Sequence, residues 1–101
     1  MAFSMQAVQF IGVHVTRDGE LKYTDGGMAI LSFPIAYNYR KTDGTEMAEY
    51  YEVQAFGKMA EGAAPLIRKG VPVSFFGRLK QDRWTDKDTG KTREKIRIMA
   101  D

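Results

Sequence analysis

The sequence has no cysteine, and it has only one histidine, one tryptophan and three prolines among its 101 residues. Without cysteine the chain can form neither a disulfide nor a thiolate metal site, which fits a reducing compartment. The single histidine, His14, lies in an apolar segment and offers little as the base that nucleophilic catalysis requires. No apolar run reaches about eighteen residues, so no membrane span is predicted. The first residues also lack the basic and apolar regions of a secretory signal.

Motifs typical of enzymes are also missing. There is no glycine-rich phosphate loop of the Walker type. The segment 86–90 (DKDTG) resembles the opening of a calcium loop, but the later bidentate glutamate and the flanking helices are absent, so we predict a plain turn. We therefore expect no enzymatic activity, no catalytic residues, no cofactor and no metal site.

Charge is unevenly distributed along the chain. The net charge of +2 is small, and 44% hydrophobic with 28% charged residues is ordinary for a globular protein. At this length we expect one domain, covering residues 1–101. The first half is nearly balanced, whereas the part from Arg68 onward carries ten lysines and arginines against five acidic residues. Such a basic half points weakly to a polyanionic partner.

Apolar alternation predicts an all-β chain with one helical interruption. Strands are expected over 8–16, 20–24, 28–38 and 49–56, a helix over 59–68 ending at Gly70, a fourth long strand from Val71, and a final hairpin over 84–100. The residues predicted to face inward are Ile11, Val13, Val15, Leu31, Phe33, Ile35, Tyr37, Tyr51, Val53, Ala55, Val71, Val73, Phe75, Leu79, Ile96 and Ile98. This element order is that of an OB-fold, a five-stranded barrel with one helix between strands 3 and 4, here with long extended hairpins.

Large rings occur where the alternation predicts an outward face. In the strand 49–56 the outward set is Tyr50, Glu52, Gln54 and Phe56, a polar face with a ring at each end. Exposed rings leave apolar surface wet and so indicate a contact site, and nucleic-acid bases are flat partners that stack on them. The candidate stacking residues are Trp84, Phe56, Tyr50 and Tyr39. Packing within a hairpin or a subunit contact is the alternative, and for Phe76 a subunit contact is at least as well supported.

Basic residues interleave with these rings. A single strand carries one phosphate per nucleotide, so a binding groove needs spaced cations rather than one cluster. The candidates for backbone contact are Arg17, Lys58, Lys69, Arg78, Lys80 and Arg83. For any one of them, a solvated surface charge is the alternative.

Several segments resemble bacterial single-stranded DNA-binding proteins, in order and at the spacing of that family. They are 10–12 (FIG), 16–24 (TRDGELKYT), 55–61 (AFGKMAE), 67–70 (IRKG), 76–79 (FGRL) and 82–86 (DRWTD), so the resemblance covers roughly residues 6–100. It implies an OB-fold that assembles, usually as a homotetramer although a dimer is possible, and binds single-stranded DNA without sequence preference. It also implies a role in protecting single strands during replication, recombination or repair.

The resemblance carries over to individual residues. Trp84 matches a stacking tryptophan of the family, Phe56 a stacking phenylalanine, and Tyr50 a position that is usually tryptophan. Tyr39 replaces another loop tryptophan in a looser alignment. Lys58, Lys69, Lys80 and Arg83 fall on basic positions of the family's DNA path.

The sequence differs from the pattern of this family in charge at two positions and in length. Glu52 stands where the family usually has arginine, and Asp82 stands at a commonly basic position. Negative charge near the DNA path leads us to expect weaker binding that is more sensitive to salt. The sequence stops at Asp101, where family members usually continue into a linker and an acidic tail. Recruitment of other enzymes through such a tail is therefore not assigned to these residues.

Other functions stay open at this point. One is an accessory OB-fold protein of the primosome that acts mainly through protein contacts, and another is a protein- or sugar-binding OB module. The expected location is the cytoplasm of a bacterium, in association with the nucleoid, or the host cytoplasm for a form encoded by a phage or mobile element.

Overall fold

A computed structural model describes residues 7–100 as an antiparallel-rich β structure with one short helix. The elements are β1 (Val8–Val15), β2 (Glu20–Tyr23), β3 (Ala29–Arg40), β4 (Glu46–Phe56), α1 (Gly57–Ala63), a 3-10 turn (Ala64–Leu66), β5 (Pro72–Thr85) and β6 (Thr92–Ala100). None of the helices in the described part of the chain is long and apolar enough to cross a membrane.

Five of the six strands close into a ring. The sheet order is β1-β5-β6-β4-β3-β2, and β1 pairs in addition with β3, so β1, β3, β4, β6 and β5 form a closed circuit with β2 appended to β3. All pairings are antiparallel except β4 with β6, which is parallel. The helix lies between the third and fourth strands of this ring. The OB-fold prediction is confirmed.

The core lies inside the ring and below it, against α1. The fully buried side chains with the largest volume are Leu31 and Ile35 of β3, Ile98 of β6, Val15 of β1 and Val53 of β4. Each comes from the inward-facing set of its strand, as the alternation predicts, and Ala60 of α1 is buried with them. Burying an aliphatic side chain of this size contributes about 1.5–3 kcal/mol.

The alternation of β1 is interrupted by a bulge. The register with β5 shifts between Phe10 and Val13, and Gly12 adopts a positive φ of 67° that side chains disfavour. Ile11 was predicted to share the inward face of Val13 and Val15, and this is wrong because the bulge leaves Ile11 exposed. Phe10 instead packs against the core and against the ring of Phe75, at 5.4 Å between centroids.

The helix is shorter than the 59–68 segment predicted. The α-helix ends at Ala63, and Pro65 lies in the 3-10 turn that follows, where its missing N–H costs no α-helical hydrogen bond. Gly70 therefore does not close the helix. It lies in the turn before β5, and its N–H donates to the carbonyl of Val15 at 2.7 Å.

Two hairpins extend beyond the closed ring of strands, and three side chains predicted to be buried are exposed there. Tyr37 of β3, Leu79 of β5 and Ile96 of β6 have the inward parity of their strands, yet all three are exposed. They lie where the β3–β4 and β5–β6 hairpins extend past the packed interior, so inward parity no longer means burial. We call this side of the two hairpins, with Tyr37, Tyr39, Leu79, Gln81, Arg83, Glu94 and Ile96, the inner face.

Candidate nucleic-acid interface

The opposite side of the sheet forms one continuous surface across four strands. We call it the outer face, and it comprises Ser32 of β3, Tyr50, Glu52, Gln54 and Phe56 of β4, Lys95, Arg97 and Met99 of β6, and Arg78, Lys80, Asp82 and Trp84 of β5. The register assigns these residues to the same side, because Ser32 pairs with Gln54, Glu52 with Arg97, and Arg97 with Lys80. A continuous surface of this kind suits an extended partner.

Three predicted stacking rings belong to the outer face. Trp84 lies near the end of β5 with 47% of its surface exposed, and Tyr50 on β4 is 69% exposed. Phe56 is half-buried at the last position of β4, directly before α1. The rings therefore lie toward the margins of the face and leave a polar centre between them.

Tyr39, the fourth predicted stacking ring, lies on the inner face. It is half-buried, and its ring stacks on Tyr37 with 5.6 Å between centroids and 24° between planes. Tyr37 in turn contacts Phe10 edge-on at 6.3 Å. The structure thus separates Tyr39 from Trp84, Phe56 and Tyr50, because β3 residues with odd numbers from Leu31 to Tyr39 share the inward parity.

The predicted cations divide between three places. Arg78 and Lys80 are exposed on the outer face, two residues apart on β5. Arg17 lines a small cavity of about 250 Å³ together with Ser32, Pro34 and Glu52. Because Ser32 and Glu52 belong to the outer face, Arg17 lies at its edge.

Lys58 and Lys69 lie at the helix end of the barrel. Lys58 is exposed in the first turn of α1, two residues after Phe56. The backbone N–H of Lys69 donates to Asp18 at 2.8 Å, which places this residue beside the loop that carries Arg17. Both are therefore near one end of the outer face rather than in its middle.

Arg83 lies on the inner face, next to Trp84 in sequence but on the other side of the strand. It forms an ion pair with Glu94 at 3.1 Å, and Glu94 also accepts a hydrogen bond from Gln81 at 3.0 Å. Strand alternation thus separates Arg83 from the cations that accompany Trp84.

A chain of polar contacts crosses the middle of the outer face. Arg97 donates through Nε to Asp82 at 2.8 Å and through Nη2 to the second carboxylate oxygen at 3.4 Å. Its Nη1 donates to the Gln54 side chain, and Gln54 donates to Ser32 at 3.3 Å. Four strands are connected in this way, from Asp82 on β5 to Ser32 on β3.

A second ion pair lies beside this chain. Lys95 of β6 contacts Glu52 of β4 at 3.2 Å. Lys95 and Arg97 were not among the cations predicted for the site, although they alternate with Ile96 and Ile98, and this alternation is a sequence signal for an outward position. The two acidic departures, Glu52 and Asp82, thus each have a basic partner on β6.

The tip of the β5–β6 hairpin is an ordinary turn. The side chain of Asp86 accepts from the N–H of Asp88 at 2.9 Å and from Arg93 at 3.1 Å. The N–H of Asp88, followed by the Arg93 side chain, holds the pKa of Asp86 below its ordinary value of 3.8. Among residues 7–100, no three histidine or acidic side chains come together in a way that could hold a metal ion.

Comparison with known families gives a match over nearly the whole chain. A sequence model of the single-strand binding protein family matches residues 5–101. The chain is 40% identical over 90 residues to the single-stranded DNA-binding protein of Borreliella burgdorferi, an alignment that covers 86% of this chain and 60% of that protein.

Two further relatives differ in how much of their length is matched. The chain is 32% identical over 92 residues to single-stranded DNA-binding protein 1 of Synechocystis sp., covering 91% of this chain and 75% of that protein. It is 40% identical over 104 residues to the single-stranded DNA-binding protein of Deinococcus radiodurans, covering 99% of this chain but 34% of that protein. The chain thus spans from about a third to three quarters of the length of these three relatives.

A solved structure has the same fold. The chain superimposes on the SSB of Plasmodium falciparum, determined in complex with ssDNA, with a TM-score of 0.83. The alignment covers 98% of this chain and 88% of the other at 18% sequence identity, so the likeness concerns the fold.

Proposed function

Because the chain belongs to the single-strand binding protein family, we propose that it binds single-stranded DNA without sequence preference and protects it during replication, recombination or repair. The observation that carries this proposal is the outer face itself. It presents Trp84, Tyr50 and Phe56 on one continuous surface with lysines and arginines between them. Rings that stack bases and cations that neutralise phosphates are the two components of sequence-independent single-strand binding.

The rings provide most of the binding energy in this proposal. Stacking one base on an exposed aromatic ring is worth about 1–3 kcal/mol, and every base has a π-face that can take part. Trp84 and Tyr50 have the exposure this requires. Phe56 offers less of its ring, and we expect it to contribute less.

The polar centre of the face supports binding without sequence preference. Reading a base needs hydrogen-bonding groups that are directed at its edge. Gln54 and Arg97, which have suitable groups, already bond to each other and to Ser32 and Asp82. Lys80 and Arg78 are exposed on the same face of β5, where we expect phosphates of a strand lying on the rings to be in reach.

Self-association and location are part of the same proposal. The chain acts as a homo-oligomer, a tetramer or a dimer, in the cytoplasm of a bacterium or of the host of a mobile element. Support for self-association comes from two exposed apolar side chains of the inner face, Leu79 and Ile96, and from the exposed ring of Phe76, which lies opposite Gln9 of β1. The protein works as a binding protein and not as an enzyme.

A fluorescence titration tests the proposal, since Trp84 is the sole tryptophan of the sequence and lies in the site. Adding oligo-dT at low salt is expected to quench its emission until the site saturates, because a stacked base contacts the indole directly. A blunt duplex of equal length is the control and should quench far less, because its bases are already stacked on one another. Absence of quenching by oligo-dT would refute the proposal. Light scattering with dT oligomers of increasing length would measure the oligomeric state in parallel.

A further inference from the structure

The cations at the centre of the outer face are already paired with carboxylates of the same face. Arg97 binds Asp82 through two nitrogens, at 2.8 and 3.4 Å, and Lys95 binds Glu52 at 3.2 Å. Fork-shaped pairing of a guanidinium with two acceptor oxygens is also the way arginine binds a phosphate. The carboxylates thus occupy the donors that a DNA phosphate would use.

The two pairs are less exposed than the ion pair at the tip of the other long hairpin. The Arg97 and Asp82 side chains are 27% and 36% exposed, those of Lys95 and Glu52 are 56% and 35% exposed, and those of Arg40 and Glu46 are 68% and 81% exposed. Partial burial weakens screening by salt, so we expect the Arg97–Asp82 pair to be the less sensitive of the two to salt.

From this arrangement we infer that Glu52 and Asp82 act as internal competitors of phosphate, which occupy Lys95 and Arg97 until single-stranded DNA displaces them. The inference rests on the proposed function and concerns how strongly, and with what salt dependence, that function is performed. The two carboxylates are affinity-setting residues that act through the cations. The ion pair of Arg83 with Glu94 lies on the inner face, on the other side of the sheet, so we expect it not to compete with phosphate for Lys95 and Arg97.

The pairing changes the expected response to salt. Each phosphate that a protein cation neutralises releases counterions from the DNA and steepens log K against log salt by about 0.7 for a single strand. A carboxylate that a phosphate displaces from its cation attracts a cation from solution instead, and this uptake offsets part of the counterion release from the DNA. The slope of log K against log salt should therefore be shallower for this protein than for a variant without the two carboxylates. This expectation is opposite to the one drawn from the sequence, which was binding that is more sensitive to salt.

The test is a set of charge-neutralising substitutions measured with oligo-dT over a range of salt concentrations. The variants are Glu52→Gln, Asp82→Asn and the two combined. The matched control is Glu94→Gln, which frees Arg83 from an ion pair on the same hairpin but on the inner face. All four remove negative charge without removing a cation or a ring, and a thermal midpoint measured for each variant tests whether the fold is retained.

We expect each outer-face variant to bind about two- to fivefold more tightly at low salt. The double variant should have a slope that is steeper by about 1.4, for two freed cations. Glu94→Gln should leave the slope unchanged. Weaker or unchanged binding by the outer-face variants would overturn the inference, and weaker binding would show that the carboxylates position the cations for phosphate. An equal gain in Glu94→Gln would overturn it too, because net charge alone would then explain the effect.

These outcomes separate the inference from the proposed function. If the wild-type protein binds oligo-dT but the variants do not differ from it, the inference alone fails. If neither the wild type nor any variant binds, the proposed function fails, and the inference fails with it.

Discussion

The β5–β6 hairpin has two faces that differ in chemistry although their residues alternate along the same strands. The outer face has Trp84, Lys80 and Arg97, and it continues without a break onto β4. The inner face has Leu79 and Ile96, both exposed and apolar, and the ion pair between Arg83 and Glu94. A count of charges along the sequence adds the two faces together. Only the register separates the cations that accompany the rings from those that do not.

The same comparison applies to the aromatic residues of the β3–β4 hairpin. Tyr50 projects from the outer face, whereas Tyr37 and Tyr39 stack on each other on the inner face. We therefore propose that the outer face binds nucleic acid and that the inner face contacts other protein surfaces. The predictions below test this division, beginning with the one of largest expected effect.

Replacing Gly77 by alanine should disrupt both faces at once. A Cβ at this position would lie 2.2 Å from the carbonyl oxygen of Met99 and 3.0 Å from Cα of Ala100, so the backbones of β5 and β6 would have to move apart. We expect a loss of about 1–3 kcal/mol or more in the free energy of unfolding. Urea denaturation measures it.

The matched control is Gly62→Ala in α1, where an added Cβ meets nothing within 4 Å. Alanine is the better helix former there, so the control should be neutral or stabilised by up to about 1 kcal/mol. Equal stability of the two variants would contradict the close approach of β5 and β6 at Gly77.

Trp84 and Arg83 are neighbours in sequence and lie on opposite faces, so they form a direct test of the division. Trp84→Ala should weaken oligo-dT binding by about 5- to 150-fold, since one stacked base is lost. Arg83→Ala should weaken binding much less, because its guanidinium is paired with Glu94 on the inner face. Filter binding or anisotropy with labelled oligo-dT measures both. A larger loss for Arg83→Ala would reverse our assignment of the faces.

The smallest effect is expected from the turn that joins the two strands. The pKa of Asp86 is lowered by its hydrogen bonds to Asp88 N–H and Arg93, so the ionised form stabilises the fold. This contribution is present above the ordinary value of 3.8 and is lost as the pH falls through the lower, folded-state value. The thermal midpoint of wild type should therefore exceed that of Asp86→Asn near neutral pH and approach it in acid.

Asp88→Asn is the control for the turn, because it removes a charge at the same tip but keeps the N–H that bonds to Asp86. It should keep the hydrogen bond to the Asp86 carboxylate and therefore a midpoint close to that of the wild type near neutral pH. A pH-independent difference for Asp86→Asn would mean that its ionised form does not stabilise the turn.

Much of the fold was predictable from local patterns, and the errors arose where non-local geometry decides. Alternation placed Leu31, Ile35 and Val53 in the core because each lies in the middle of a closed ring. It failed at Ile11, since a bulge shifts the parity by one residue. It failed at Leu79 and Ile96 because alternation shows the side of a strand and not the point where the packed interior ends.

The site was predictable to a similar extent. Strand parity placed Tyr50 and Phe56 on one surface correctly, and the basic character of the second half of the chain indicated where cations would be. The neighbours of those residues could not be read from the sequence. That Arg97 lies opposite Glu52 and contacts Gln54 depends on the parallel pairing of β4 with β6, which joins segments more than forty residues apart. Its contact with Asp82 depends on the antiparallel pairing of β5 with β6.

The central claim is that single-stranded DNA lies on the outer face, and thiol protection tests it most directly because the chain has no cysteine of its own. A single cysteine is introduced by Lys80→Cys on the outer face or by Gln81→Cys, one residue later, on the inner face. Both positions are exposed in the single chain, and the reaction rate of each cysteine without DNA is the reference for that position. We predict that saturating oligo-dT slows the reaction at position 80 and leaves it unchanged at position 81. Protection at position 81 alone, or equal protection at both, would contradict the account.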